Sequence, residues 1–134
     1  MAGQGDFRRI PGGLPGVETR GILLYSEGVT KGRISEQTLC RVLSENPAKL
    51  YGLYPRKGVI APGSDGDVVV LDPAGKTVLH GEALASAAGY TPFEGMELSG
   101  RIREVYLRGR KTVEGGTLLE KNRGVYLRRG KNCL

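Results

Sequence analysis

The chain is poor in the residues that most often hold metals or exchange protons. It has one histidine, His80, and two cysteines, Cys40 and Cys133, in 134 residues. A zinc site needs His, Cys or carboxylate ligands brought together. His80 lies between Leu79 and Gly81 with no second histidine, and reads as an ordinary half-exposed residue ending a strand. Neither cysteine belongs to a CxxC or Cys/His cluster, which argues against a zinc knuckle and a disulfide framework. Cys40 stands among apolar residues of an expected helix and reads as a small core residue, whereas Cys133, next to last, reads as frayed. A Cys40/His80 pair would need an exposed thiol, and Ser64 and Ser86 lack the Gly-x-Ser-x-Gly elbow of a hydrolase triad. No apolar run approaches the roughly 18 residues of a membrane span. The opening residues do not have the pattern of a signal peptide, so the cytoplasm is the expected compartment.

Carboxylates are scattered. Asp65 and Asp67 flank Gly66, but Asp-Gly-Asp ahead of a strand is commonly a turn cap, and a calcium site wants about six to eight oxygens. The glycine doublets at 12–13 and 115–116 do not fit a phosphate-binding loop. Basic residues are in excess, with a net charge of +6. Lys121, Arg123, Arg128, Arg129 and Lys131 crowd the last fourteen residues, with Tyr126 the only aromatic among them. A single-strand-binding surface wants several stacking rings, so the cluster reads as a solvated tail with neither a specific nucleic-acid partner nor a membrane partner.

Glycine, by contrast, is abundant, at 22 residues. Many short elements joined by tight turns account for it, since no collagen period is present. The length suits one ordinary domain but not a complete eight-fold barrel, which takes about 250 residues. The first half reads as helical. Residues 10–16, Ile-Pro-Gly-Gly-Leu-Pro-Gly, form a loop. A helix is expected from Val17 to Glu27, with Gly28 as its left-handed stop. A second is capped by Ser35, with Ile34 stapled onto Leu39 and a stripe of Leu39, Val42 and Leu43. A third has Asn46 as N-cap, Pro47 at its first position and Gly52 after its end.

The pattern changes near residues 54–58. Asp67–Asp72 reads as a short buried strand, and Asp72-Pro73-Ala74-Gly75 as a turn returning Lys76–His80 as its antiparallel partner. Glu82–Ala88 fits a helical turn or a loop equally well. Arg101–Arg108 alternates, Gly109 turns into Arg110–Glu114, Gly115-Gly116 turns into Thr117–Leu119, and residues 124–129 could add a last strand. Helices followed by a mostly antiparallel β-module define an α+β class, divided as residues 1–54 and 55–134.

One loop invites a chemical reading. Gly12, Gly13 and Gly16 leave main-chain groups accessible just before Glu18 and Arg20. Such a loop can grip a planar amide or imide ring, or it can be only a tight connection, which is the commoner use of Gly and Pro.

Several ordered motifs are similar to those of a known family. Residues 6–20, Asp-Phe-Arg-Arg-Ile-Pro-Gly-Gly-Leu-Pro-Gly-Val-Glu-Thr-Arg, resemble the segment after the last barrel strand of cyclic amidohydrolases of the dihydropyrimidinase and D-hydantoinase family. Asn46–Gly58 is similar to that family's NPAKLFGLYPRKG signature, and Ile60–Val70 to the lead into its small β-domain. Tyr90–Met96 and Val105–Arg110 match later pieces in order.

The resemblance implies a C-terminal fragment: helices from the end of a TIM-type barrel, then an incomplete β-sandwich. The family binds zinc or another divalent metal pair through an His-x-His pair, a carboxylated lysine, further histidines and an aspartate, all upstream of the matching stretch. No catalytic residue, metal ligand or cofactor is therefore expected in this chain, and alone it should be inactive. The substrate loop places Gly12 where hydantoinases often have Asn, which holds the ring largely through its main chain. Gly12 and Gly13 are accordingly the candidate substrate contacts. The expected partner is the rest of the enzyme, or further copies of the chain. A non-catalytic structural or oligomerisation module is the alternative.

Overall fold

A computed structural model describes residues 6, 8, 13–121 and 123–133. A four-stranded antiparallel sheet in the order β1-β2-β3-β4 carries one helical rod, and a second rod packs on the first. The first rod is α1, Arg20–Leu24, continued by a π-helical turn, Tyr25–Thr30. The second is α2, Glu36–Cys40, a π-helical stretch, Arg41–Glu45, and α3, Asn46–Leu50, without a break. The strands are β1, Val68–Val78; β2, Glu97–Leu107; β3, Arg110–Glu114; and β4, Thr117–Leu118.

The expected cap at Ser35 is present: its side chain accepts from the Thr38 N–H at 3.1 Å. Gly28 is not a left-handed stop. The first rod runs through it to Thr30, and Gly28 makes room for the Ile34 side chain, which lies 3.0 Å from where a Cβ would stand. The left-handed residue is Gly32, at φ +68°.

Asn46 does not cap a separate helix either. It has helical backbone angles, and its N–H reaches the Arg41 carbonyl five residues back. Pro47 brings no N–H and crowds the carbonyl four residues earlier. The wider π turn ahead of it keeps the rod continuous. That turn also alters the apolar stripe. Leu39 packs on the core and Leu43 is half-buried, but Val42 swings out and is exposed. Cys40 is exposed, not a core residue, because it sits one step round the helix from Leu39.

The sheet corrects two strand assignments. Residues 73–75 do not reverse the chain. They form an irregularity inside β1, which pairs with β2 on both sides of it, Asp72 with Arg101 and Lys76 with Ser99. The Asp72 carboxylate accepts the Ala74 N–H at 3.0 Å and bends the strand locally. Lys76–Val78 therefore extends the first strand and is not its hairpin partner. Nor is the Val68–Val70 run buried, since Val69 and Val70 are exposed. The hairpin turns at Arg108-Gly109 and Gly115-Gly116 have positive φ at both central residues, which matches the twist of paired strands. Residues 124–129 form no strand. The tail instead runs back to α3, where the Gly130 N–H donates to the Gly52 carbonyl at 2.7 Å and the Cys133 N–H to the Lys49 carbonyl at 3.2 Å. The Cys133 backbone is thus held, not frayed.

Along β2, Leu98, Gly100 and Ile102 alternate inward. Ile22, Tyr25, Leu79 and Leu98 form the core, with Leu23, Val29, Leu39, Leu71, Phe93, Met96 and Ile102 packed around it. The core joins the helical first part to the β second part.

Candidate functional site

The described part of the substrate-like loop, Gly13–Glu18, enters α1 through a buried threonine. Thr19 is 2% exposed, and its hydroxyl donates to the Gly16 carbonyl at 3.4 Å. The Arg20 N–H reaches the same carbonyl at 3.1 Å, so helical hydrogen bonding starts at Gly16. The side chains of Leu14 and Val17 project into solvent.

Two long-range hydrogen bonds hold this loop. The Tyr90 hydroxyl donates to the Gly13 carbonyl at 3.2 Å. The Ala85 N–H donates to Glu18 Oε2 at 2.9 Å. Both partners come from the segment after β1, which opens with a short helical turn, Gly81–Ala83. Glu94 secures the start of that segment, taking the Gly81 N–H on Oε2 at 2.7 Å and lying 2.8 Å from His80 Nδ1 through Oε1. These two contacts, the Gly81 one foremost, hold the Glu94 carboxyl below its ordinary pKa.

Gly13 is thus placed on an exposed loop with its carbonyl engaged by Tyr90, and its N–H has no partner among the described residues. Gly12 lies outside the described residues. The segment Tyr90–Met96 was legible as a motif, but its sequence gave no sign that Tyr90 reaches Gly13 or that Glu94 anchors Gly81. Those contacts join residues 77 and 13 positions apart.

The carboxylates of Asp65 and Asp67 face cations of the chain itself. Asp65 meets Lys57 Nζ at 2.9 Å and Arg56 Nε at 3.1 Å, and Asp67 pairs with Lys57 and accepts the Arg108 N–H. Lys57, foremost, lowers the Asp65 pKa. Burial opposes the Lys57 charge, but its bonds to Asp67 and Asp65 outweigh that and raise its pKa. The cluster ties the segment before β1 to the β2–β3 turn.

The chain belongs to the amidohydrolase family, whose model matches residues 16–112. It is 46% identical over 127 residues to a D-phenylhydantoinase of Escherichia coli, covering 94% of this chain and 28% of that protein. It superposes on the D-hydantoinase (dihydropyrimidinase) from Thermus sp. with a TM-score of 0.86 at 41% identity, covering 94% of this chain and 28% of the other. The L-hydantoinase (dihydropyrimidinase) from Arthrobacter aurescens gives 0.80 at 36% identity, over 86% of this chain and 26% of that one. The chain thus spans little more than a quarter of the length of these relatives.

The metal that this family implies does not fit the residues present. Among the described residues no three His, Cys, Asp or Glu side chains converge. His80 has one carboxylate partner, and that carboxylate is committed to a backbone N–H as well. Among the described residues no helix is long and apolar enough to cross a membrane.

Proposed function

We propose that this chain is the C-terminal portion of a hydantoinase- or dihydropyrimidinase-type enzyme that hydrolyses the C–N bond of cyclic amides. In this reading residues 1–54 are the loop and helices that end a TIM-type barrel, and residues 55–134 are part of a β-sandwich. The main chain at Gly12 and Gly13 contacts the amide or imide ring of the substrate. The metal ligands belong to the rest of the enzyme, and the chain alone is inactive.

The carrying observation is likeness in both sequence and fold over nearly the whole chain, in one continuous order of motifs. The surface supports incompleteness. Ile60, Val69, Val78 and Leu118 are among the large apolar residues left in solvent. The partner is therefore the remainder of the enzyme, and in its absence the chain self-associates through these side chains. Two free, unpaired cysteines favour a reducing, cytoplasmic setting.

Mixing the chain with Thermus D-hydantoinase that lacks the matching segment tests this reading. Co-sedimentation as a defined complex with restored ring opening is expected. Separate sedimentation, with the chain a clean monomer, would contradict it.

A further inference from the structure

We infer that the segment from Gly81 to Tyr90 is a clamp that fixes the substrate loop, with Tyr90 and Glu18 as positioning residues. The inference deepens the hydantoinase reading and rests on it for the identity of the ligand, a cyclic amide or imide. A glycine loop that binds a ring through its main chain must present those groups in one geometry. Gly and Pro supply no side-chain packing to hold it, and an ordering cost would otherwise fall on each binding event.

The chain supplies that order from outside the loop. The Tyr90 hydroxyl donates to the Gly13 carbonyl at 3.2 Å, at the loop's described start, and the Ala85 N–H donates to the Glu18 carboxylate at 2.9 Å, at its end. The two contacts bracket Leu14–Val17, whose side chains do little packing of their own. The clamp is itself fixed at its base. Gly81 lies against the Tyr90 backbone so closely that a Cβ would stand 2.5 Å from the Tyr90 Cα, and Glu94 holds the Gly81 N–H. Tyr90 thus hangs from a point set by Glu94 and Gly81, and it transmits that position to Gly13.

Amide exchange on the 134-residue chain reads the clamp without any assumption about activity. Tyr90→Phe deletes only the hydroxyl. It should speed exchange of the two amides bonded to the loop, Arg20 on the Gly16 carbonyl and Ala85 on the Glu18 carboxylate, by about two- to tenfold, the loss of one ordinary hydrogen bond, and leave the sheet amides unchanged. Glu18→Leu should do the same, while Glu18→Gln, which keeps an oxygen acceptor for the Ala85 N–H, should restore slow exchange. Unchanged exchange at Arg20 and Ala85 in both Tyr90→Phe and Glu18→Leu would overturn the clamp.

The functional arm uses Thermus D-hydantoinase carrying this chain's sequence in place of its matching segment. There Tyr90→Phe should raise KM for hydantoin severalfold with kcat within about twofold, because the loop acts in binding. An equal fall in kcat with KM unchanged would overturn the positioning role. An inactive graft with unsubstituted Tyr90 would contradict the hydantoinase reading, and the exchange result would still decide the clamp.

Discussion

The ring of Tyr25 lies directly over Gly100, so that a Cβ on Gly100 would stand 2.7 Å from Tyr25 Cε1 and 2.8 Å from Cδ1. Tyr25 belongs to the first helical rod and Gly100 to the middle of β2. Their contact lies where the first rod meets β2. Gly100 also has φ +91°, a backbone region that side chains resist. Gly100→Ala should therefore destabilise the protein by about 1–3 kcal/mol, the usual cost of overpacking. Urea unfolding of the two proteins measures it. An unchanged midpoint would mean that the rod is not seated on β2.

Ser26 makes the polar half of the same junction. It is 3% exposed, and its hydroxyl oxygen accepts the Ser99 N–H at 3.0 Å. Ser26→Ala leaves that backbone N–H without its partner, a loss of about 1–3 kcal/mol. The midpoint of urea unfolding should fall accordingly, and Ser26→Thr, which keeps an acceptor, should lose less.

Both thiols are exposed. A thiol-reactive dye should label Cys40 and Cys133 in the folded protein without denaturant, at rates close to those in the unfolded chain. Protection of Cys40 until unfolding would place it in the core, against the structure.

Acid should loosen the chain locally before it unfolds. The Glu94 pKa lies below the ordinary 4.5, through the Gly81 N–H and then His80, and that of Asp65 lies below the ordinary 3.8, through Lys57 first. A carboxylate with a depressed pKa stabilises the fold above its ordinary value, and that contribution is lost as pH falls through the folded value. Stability should be level near neutrality and decline once pH drops below 4.5, with the first loss around residues 81–90. Thermal melts and amide exchange across that range check it. A stability that rises on acidification would contradict these pairings.

What could be read from the sequence was local. The Ser35 cap and the turns at Gly109 and Gly115-Gly116 each depend on a few neighbouring residues, and each is present; the alternation expected over Arg101–Arg108 is broken by a register shift at Arg103. The misses came where distant contacts outvote local preference. Asp72-Pro73-Ala74-Gly75 has the composition of a reversing turn, yet β2 pairs on both sides of it and makes it a bulge. Asn46-Pro47 has the composition of a helix start, yet a π turn carries the preceding helix through it. The basic tail gave no sign of its path, because Gly52 and Lys49 meet it through main-chain groups alone. The candidate site divided in the same way. Its glycines stood out in the sequence, while Tyr90 and Glu94, which hold the loop, did not.

The graft of this chain's sequence into Thermus D-hydantoinase, in place of the matching segment, tests the central claim most directly. Ring opening of hydantoin or dihydrouracil by the purified, metal-loaded graft should proceed within about tenfold of the parent rate, while the 134-residue chain alone shows none. A graft that folds and holds metal to the same extent as its parent but opens neither ring would contradict the account.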